Sequence, residues 1–342
     1  MIPRSIALFI SGIPSYSLTR SLLSGTSTNQ TIILKAMHEV GDRILSIQSH
    51  VVSGYVGNKS ATFPLQLLGF EVDAINSVQF SNHTGYAHGI RGQVLGDTDL
   101  WDLIEGLRIN EIDSYSHIIN GYIGSPSFLV KLAEVVKTLK VKNPDLVYVC
   151  DPVMGDMGPG LYVPETLLPI YQNQILPLAD ICLPNQFEIE LLTGMKVNTE
   201  SEALEAMGKV HDLGVGTVIL SSTELAKDRL IAIASTRDRE DPTRCQRYKI
   251  EIPKFPAAFV GTGDLFTALS TAWLRRSGND VKMSLEKTIA TMQVVLGRTL
   301  EQAQKLAGEG NKPTAHQMEL KLIQSKEAIE TPVVSISATK IT

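Results

Sequence analysis

The chain has 342 residues, and its 43% hydrophobic and 20% charged content is close to the average for a globular protein, so a large buried core is expected and gross disorder is not. Its formal net charge of -5 argues against a general nucleic-acid binder or a protein that binds anionic membranes, because both usually carry an excess of basic residues. No run of about 18 apolar residues occurs, so the sequence predicts no transmembrane helix.

Residues 1–42 differ in composition from the rest of the chain. They are rich in Ser, Thr, Ile and Leu, and no acidic residue precedes Glu39. Such a composition is typical of an organelle transit segment, so mitochondrial targeting is one interpretation. The other is a disordered leader that carries no targeting signal. We therefore expect an N-terminal extension over residues 1–42 and one domain over residues 43–342.

The three cysteines, Cys150, Cys182 and Cys245, lie far apart in the sequence. None belongs to a CxxC pair, so a zinc site is not expected, and three cysteines are too few for the disulfide framework of a secreted protein. This pattern favours reduced thiols in a cytoplasmic protein.

From Arg43 onward, short β-branched runs alternate with stretches of helical periodicity. The runs that predict strands are Ile44–Gln48, Val72–Val78, His117–Tyr122, Leu146–Cys150, Asp180–Leu183, Thr217–Leu220 and Leu230–Ala234. The stretches that predict helices are Leu100–Ile109, Phe128–Leu139, Ala203–Leu213 and Leu265–Arg275. This alternation predicts an α/β fold with a mostly parallel central sheet and helices on both faces. The charged stretch Asp228–Gln246 is apolar-poor after Ala234, which predicts a surface hairpin or loop.

The strongest chemical signal is a glycine-rich turn that leads into a helix. In the run Phe259–Phe266, Gly261 and Gly263 precede Asp264, and free amide groups at the start of a helix bind anions. Asp264 can cap this helix or act as a general base beside a transferred phosphate, and the two roles are compatible. The sequence has no GxxxxGK[ST] motif and does not complete GxGxxG here, so neither a P-loop nor a dinucleotide fingerprint is expected.

Acidic and polar residues follow several other predicted strands. Cys150–Asp156 and Leu183–Glu188 each place carboxylates after a strand, where they suit Mg²⁺ or ordinary turn chemistry. Asn185 is expected to cap a helix that begins near Gln186. The polar, aromatic run Val78–Tyr86 suits a pocket for a flat ring, although its His83 is more readily explained as a structural histidine.

Taken in order, these motifs resemble the pyridoxal kinase family of the ribokinase-like superfamily, and most closely its animal members. The resemblance covers about residue 43 to the C-terminus and rests on Ile44–His50, Gly54–Asn58, Asn76–Tyr86, Cys150–Asp156, Pro184–Glu188 and Phe259–Asp264. It implies ATP-dependent phosphorylation of the 5′-hydroxymethyl group of pyridoxal, pyridoxine and pyridoxamine, a step of vitamin B6 salvage. It also implies Mg²⁺ with ATP, a monovalent cation such as K⁺ or Na⁺, and a homodimer.

The resemblance also assigns roles to individual residues. Asp264 is implied to be the catalytic base, with the amides of Gly261, Thr262 and Gly263 around the transferred phosphate. The positions that match the family's vitamer pocket are Ser49, Val56, Phe80, Thr84 and Tyr122. Those that match its metal–triphosphate centre are Asp151, Asp156 and Glu188, and those on its nucleotide side are Asn185 and Ser221, with Ser222 beside them.

The sequence departs from the family at two places. The family commonly has Thr-Pro-Asn where this chain has Leu183-Pro184-Asn185, so the resemblance carries no hydroxyl contact with nucleotide or cation onto this position. The flap, residues 156–162, is shorter than in the animal enzymes, although it is still expected to cover the ATP phosphates. Two alternatives remain: a kinase of another small alcohol, against which Phe80–Tyr86 argues, and a non-catalytic pyridoxal phosphate carrier, against which the intact Gly261–Asp264 turn argues.

Overall fold

The computed structural model describes residues 42–238, 240–241 and 243–341. The interpretation of residues 1–42 as an extension or transit segment lies outside this part of the chain, except for Asp42. The Asp42 carboxylate accepts two hydrogen bonds from Arg275 Nε, at 2.9 and 3.1 Å. Within the described ranges, no helix combines the length and the apolar character that crossing a membrane requires.

The described residues form one ten-stranded sheet and one small hairpin. The strands of the sheet are β1 (Arg43–Val51), β2 (Glu71–Phe80), β3 (Gly92–Val94), β4 (His117–Asn120), β5 (Val147–Cys150), β8 (Ile181–Cys182), β9 (Thr217–Thr223), β10 (Arg229–Arg237), β11 (Cys245–Pro253) and β12 (Thr339–Ile341). The hairpin pairs β6 (Gly155–Asp156) with β7 (Gly160–Leu161).

Helices fill most of the connections between strands. In chain order the α-helices of the described residues are α1 (Asn58–Leu67), α2 (Asp97–Ile109), α3 (Pro126–Lys142), α4 (Leu167–Ile170), α5 (Gln186–Thr193), α6 (Glu200–Asp212), α7 (Thr262–Arg276), α8 (Val281–Ala307) and α9 (Lys326–Glu330). A single π-helical turn (Tyr171–Ile175) and two short 3-10 helices (Leu176–Leu178 and Ile323–Ser325) complete the set in this part of the chain.

The sheet has a parallel centre and antiparallel edges. Its strand order is β12-β11-β10-β9-β8-β5-β4-β1-β2-β3, and every pairing from β9 through to β2 is parallel. At one edge β3 runs antiparallel to β2, and at the other β10, β11 and β12 form an antiparallel extension. The predicted α/β fold with a mostly parallel sheet is therefore confirmed, and the charged stretch after Asp228 is the predicted hairpin.

The alternation of side chains along the central strands builds two separate apolar layers. Leu45 belongs to the layer that contains helices α2, α3 and α6, whereas its neighbour Ile44 belongs to the layer that contains α1, α7 and α8. Ile118 and Ile119 of β4 divide in the same way. Because successive residues of a strand point to opposite faces, this division places helices on both faces of the sheet, as predicted.

Candidate active site

The parallel strands bring the predicted site residues to one edge of the sheet. Each residue lies at or just after the carboxyl end of its strand, where ligands bind in open α/β sheets. In spatial order from β2 to β9 they are Phe80, Ser49, Tyr122, Asp151, Asn185 and Ser221. The residues predicted to hold the ring therefore lie towards one end of this edge, those predicted to hold the nucleotide lie towards the other, and Asp151 lies between them.

The turn before helix α7 has the geometry of an anion site. Gly261 is the N-cap residue in a left-handed conformation, with φ 81°, and no side chain caps the helix. Asp264 is the third residue of α7, and its Oδ2 accepts the Gly57 N–H at 2.7 Å. The capping alternative for Asp264 is therefore wrong. Because no side chain occupies the first amide groups of α7, they remain suited to bind a phosphate.

Residues 54–57, the base loop, hold Asp264 close to the predicted ring residues. A Cβ on Gly57 would lie 2.0 Å from Ser49 O, and a Cβ on Gly261 would lie 2.1 Å from Tyr55 O and 3.2 Å from Val56 Cγ1. Only glycine permits these two approaches, and both glycines also have positive φ. Ser49 therefore packs against Gly57 of the base loop, and Val56 packs against Gly261 of the turn that carries Asp264.

Asp264 and Asp151 are carboxylates with raised pKa values. Burial raises the pKa of Asp264, and the hydrogen bond from the Gly57 N–H works in the opposite direction. Burial and the nearby charge of Asp264 raise the pKa of Asp151 to about 8, against a hydrogen bond of 2.9 Å from Thr267 Oγ1. A raised pKa makes Asp264 a better proton acceptor, and the unbalanced negative charge favours a cation nearby.

Asn185 and Glu188 form the capping box of helix α5. Asn185 Oδ1 accepts the Glu188 N–H at 2.9 Å, and Glu188 Oε2 accepts the Asn185 N–H at 2.8 Å, so the predicted cap is confirmed. Glu188 Oε1 also accepts the Met154 N–H at 3.0 Å, and Asn185 Nδ2 donates to Gly155 O at 2.8 Å. Burial, followed by the charge of Asp151, raises the pKa of Glu188. Both side chains therefore hold the base of the flap.

The flap is a small hairpin with an exposed tip. The Tyr162 N–H donates to Met154 O at 2.8 Å and closes its base, while 45% of the Met157 surface and 47% of the Tyr162 surface are exposed. Asp156 lies on the flap, is exposed, and accepts the Met157 N–H at 2.9 Å. Of the predicted metal residues, Asp156 is therefore the one on a separate, exposed element.

The acidic residues fit a metal ion that takes most of its ligands from elsewhere. Carboxylate oxygens are the ligands that Mg²⁺ prefers, and burial, followed by the charge of a neighbouring carboxylate, raises the pKa values of Asp151 and Glu188. Among the described residues, however, no three His, Cys, Asp or Glu side chains are grouped so that they could hold a metal by themselves. This agrees with the preference of Mg²⁺ for water and substrate phosphates as further ligands.

On the ring side, Tyr122 and Phe80 are partly buried and Thr84 is exposed. Burial raises the pKa of Tyr122, whose carbonyl accepts Ser77 Oγ at 2.6 Å. Thr84 belongs to residues 83–86, the ring turn. A Cβ on Gly85 of this turn would lie 3.8 Å from Val260 Cγ2. The ring turn therefore faces the segment that leads into helix α7.

On the nucleotide side, Ser221 and Ser222 lie where the pairing of β9 with β10 is irregular. The register shifts between Leu220 and Thr223, so two residues of β9 stand opposite one residue of β10. Ser221 Oγ donates to Pro184 O at 3.4 Å. The side chain of Leu183 lies in the apolar layer with α1, α7 and α8 and is 3% exposed, so it presents no polar group to the edge.

Several residues of the site have no local signature in the sequence. Thr267, which donates to Asp151, is an ordinary residue of an amphipathic helix. Glu319 accepts the Tyr55 N–H although it lies 264 positions further along the chain. The interpretation of His83 as a structural histidine fits its contacts, because it hydrogen-bonds the Gly85 N–H and lies 3.3 Å from Glu319.

The fold and the edge site define a small-molecule kinase of the ribokinase-like type. A family model described as phosphomethylpyrimidine kinase matches residues 121–314. Pyridoxal kinase of Sus scrofa is 52% identical over 306 residues, which cover 87% of this chain and 95% of that protein. Pyridoxal kinase of Arabidopsis thaliana is 45% identical, covering 91% of this chain and 98% of that one. The chain belongs to the pyridoxal kinase family.

A solved structure agrees with this membership. Pyridoxal kinase from Leishmania donovani, in complex with ADP and pyridoxamine, matches with a TM-score of 0.81 and 34% sequence identity. The match covers 88% of this chain and 100% of the Leishmania chain. The kinase fold therefore extends over nearly all of the region that the resemblance covers.

Proposed function

We propose that the edge site transfers the γ-phosphoryl group of ATP to the 5′-hydroxymethyl group of pyridoxal, pyridoxine and pyridoxamine, with Asp264 as the base. The reaction is that of the pyridoxal kinase family, to which the chain belongs. Its products are pyridoxal 5′-phosphate and the related phosphates. The observation that carries the role of Asp264 is its place in the uncapped first turn of α7, fixed by the Gly57 N–H at 2.7 Å.

Positioning and charge stabilisation supply most of the catalysis in such a transfer. The amides of Gly261, Thr262 and Gly263 face the place where the phosphoryl group passes, and they stabilise the charge on its oxygens. Asp264 accepts the proton of the attacking hydroxyl late in the reaction, so its alignment matters more than its basicity. The flap covers the phosphates and excludes water.

The vitamer binds at the β2, β1 and β4 end of the edge. Residues that hydrogen-bond or pack beside its ring are Ser49, Val56, Phe80, Thr84 and Tyr122. This choice is supported by the order of Phe80, Ser49 and Tyr122 along the edge, by the contact of Val56 with Gly261, and by the packing of Ser49 against Gly57, which bonds Asp264. Solved structures of the Leishmania donovani enzyme hold ADP together with pyridoxamine in one complex and ADP together with pyridoxine in another, which supports a site for nucleotide and vitamer side by side.

An ATP-using kinase requires a divalent metal, and we propose Mg²⁺ for this one. Asp151, Asp156 and Glu188 would hold it together with water and the phosphates. When bound, it neutralises the charge of the triphosphate. We also propose that K⁺ or Na⁺ assists, and that Asn185 and Ser221 contact the nucleotide. Asn185 is supported by its position beside the flap, where it donates to Gly155 O.

We further propose a cytoplasmic homodimer with residues 43–342 as its kinase domain. Free thiols at Cys150, Cys182 and Cys245 are compatible with a reducing compartment. The alternative of mitochondrial import concerns residues 1–42. Fusion of these residues to a fluorescent protein tests it, because import would move the fusion into mitochondria.

The reaction is tested by following pyridoxal 5′-phosphate formation from pyridoxal and MgATP, with and without K⁺. Asp264→Asn should lower turnover by about 10²-fold or more while the Kd of ATP changes little, because Asn retains an oxygen that accepts the Gly57 N–H. Asp99→Asn is a matched control: Asp99 is also the third residue of a helix with a glycine N-cap, and it accepts the Gly96 N–H at 2.7 Å.

We expect Asp99→Asn to keep its activity within about twofold, as for other exposed positions. Unchanged turnover in Asp264→Asn would contradict the role of the base. A panel of alcohol substrates tests the vitamer assignment. Faster phosphorylation of hydroxymethylpyrimidine than of pyridoxal would contradict it. That alternative is worth testing because the matching family model is described as phosphomethylpyrimidine kinase.

A further inference from the structure

Glu319 is a buried carboxylate that the proposed reaction does not use. It lies between α8 and α9, and 7% of its surface is exposed. Its neighbours Leu320 and Leu322 are fully buried in the apolar layer of α7 and α8. The Lys321 N–H donates to Thr299 Oγ1 of α8 at 3.0 Å. The backbone that carries Glu319 is therefore fixed to the core of the domain.

One carboxylate oxygen of Glu319 holds the base loop. Its Oε2 accepts the Tyr55 N–H at 2.8 Å. Gly54 permits this approach, because a Cβ there would lie 2.2 Å from Glu319 Oε1 and its φ of 101° is unfavourable for other residues. Further along the same loop, the Gly57 N–H donates to Asp264 Oδ2. The base loop therefore connects Glu319 to the catalytic base.

The other oxygen of Glu319 holds the ring turn, which carries Thr84. Oε1 accepts the Tyr86 hydroxyl at 3.0 Å and lies 3.3 Å from His83 Nε2. The Gly85 N–H donates to His83 Nδ1 at 3.0 Å, so the ring proton lies on Nε2 and is donated to the carboxylate. The rings of His83 and Tyr86 pack edge to face, with 4.9 Å between centroids.

These donors stabilise a charge that lacks a lysine or arginine partner among the described residues. Lys321 Nζ donates instead to the carbonyl oxygens of Gln317 and Glu319. Burial works to raise the pKa of Glu319, but hydrogen bonds from His83, the Tyr55 N–H and Tyr86 hold it below its ordinary value. Separating either loop from the carboxylate would leave buried polar groups unpaired, which is costly.

We propose that Glu319 is a positioning residue that locks the base loop to the ring turn and so aligns the acceptor hydroxyl with Asp264. The proposal rests on the proposed function, because that function identifies the groups to be aligned. The Glu319 carboxylate makes polar contacts with Tyr55 on one side and with His83 and Tyr86 on the other, and it acts through them. A displacement of about 1 Å between reacting groups is enough to lower a rate about 10²-fold.

Kinetics of three variants test the lock. Glu319→Ala should lower kcat/KM for pyridoxal by about 10²-fold, through both kcat and KM, because both loops lose their anchor. Tyr86→Phe removes one of the two contacts that hold the ring turn and leaves the base loop in place, so KM should rise while kcat changes little. Glu319→Gln retains one acceptor oxygen and should fall between wild type and Glu319→Ala. The Kd of MgADP should stay within about twofold in all three, since the nucleotide binds at the other end of the edge.

Glu190→Ala is the matched control. Glu190 is also a glutamate with 7% exposure, and it accepts the Val197 N–H at 3.0 Å, but its contacts join α5 to the loop that follows it. Its removal should lower the free energy of unfolding without changing kcat/KM of the folded enzyme. Equal kinetic losses in Glu190→Ala and Glu319→Ala would overturn the proposal, because the loss would then reflect general destabilisation.

Hydrogen exchange gives a readout that does not depend on activity. Peptides that contain Tyr55 and Gly85 should exchange faster in Glu319→Ala than in wild type, and unchanged exchange at both would overturn the lock. Wild-type kinetics in a folded Glu319→Ala would also overturn it. If Glu319→Ala does not fold, Glu319→Gln and Tyr86→Phe give the same test. A wild type that phosphorylates no vitamer would contradict the proposed function, whereas faster exchange at both loops would still support the lock.

Discussion

The turn before α7 and the flap are two glycine-containing elements at the same sheet edge, and they are held in opposite ways. The α7 turn is fixed from several directions: Gly57 bonds Asp264, and Ser60 Oγ donates to Gly261 O at 3.1 Å. The hairpin of the flap has two paired positions, Gly155 with Leu161 and Asp156 with Gly160. At its tip, 45% of the surface of Met157 is exposed.

This difference matches what the two elements must do. The proposed base and anion site have to be in place before the substrates arrive, because catalysis by alignment loses its advantage when the groups move. In the proposed reaction the flap covers the nucleotide and has to open for its entry and exit, and elements that move are drawn from the weakly held parts of a structure. Asn185 and Glu188 hold only the base of the flap and leave its tip exposed.

Among substitutions that test the contrast between the fixed α7 turn and the loosely held flap, Gly261→Ala is expected to have the largest effect on activity. The new Cβ would lie 2.1 Å from Tyr55 O at a φ of 81°, so the base loop would have to move. We expect kcat/KM for pyridoxal to fall by about 10²-fold, since Asp264 is carried by the same turn. A left-handed alanine also costs roughly 1–2 kcal/mol of stability, which urea unfolding measures.

Gly208→Ala is the control for a glycine substitution that meets no obstacle. Gly208 lies within α6, and no atom lies within 4 Å of its would-be Cβ. This change should stabilise the protein by roughly 0.5–1 kcal/mol and leave the kinetics unaltered. If Gly261→Ala behaved like Gly208→Ala, the α7 turn would not be the rigid element that its contacts indicate.

Asp151 lies between the two elements, and its charge gives a pH-dependent test. Burial and Asp264 raise its pKa from 3.8 to about 8, so the folded state binds the proton more tightly than the unfolded state. Without ligands, this group therefore makes the free energy of unfolding fall as pH rises from about 4 to about 8. Asp151→Asn removes that contribution, so the variant should lose less stability than wild type over this window.

Urea unfolding at several pH values, without ATP and metal, measures this difference. Parallel pH profiles for wild type and Asp151→Asn would show that burial and Asp264 do not raise the pKa of Asp151. Added Mg²⁺ with ADP should restore stability at high pH in the wild type more than in the variant, because a cation near Asp151 favours its ionised form.

The central fold could be predicted from the sequence, whereas some helices and edges could not. The β-branched runs of the parallel strands are strong local signals, and the structure confirms each of them with small changes at the ends. The 27-residue helix α8 was not predicted, because Thr and Ser residues such as Ser284, Thr288 and Thr299 occupy part of its buried stripe. The edge strands β3 and β12 are three residues long and mostly exposed, so they carry no apolar pattern.

The site divides in the same way between local and distant signals. Gly261 and Asp264 are adjacent in sequence and form a recognisable motif, so their turn could be predicted. The contacts that hold this turn in place could not be predicted. Gly57, which bonds Asp264, and Glu319, which bonds the loop that contains Gly57, lie near opposite ends of the chain. The capping alternative for Asp264 failed for the same reason, since a distant amide competes for the carboxylate that would otherwise turn towards its own helix.

The smallest effect is expected from Gly158→Ala in the flap. Gly158 lacks the positive φ of Gly261, and no atom lies within 4 Å of its would-be Cβ, so an added methyl group meets no neighbour and no backbone strain. The KM for ATP and kcat should therefore both change by less than about twofold, as for other exposed substitutions. Steady-state kinetics with ATP varied at saturating pyridoxal measure both constants. A loss comparable with that of Gly261→Ala would mean that the flap is as rigidly constrained during turnover as the α7 turn, and the contrast between a fixed base and a loosely held cover would no longer stand.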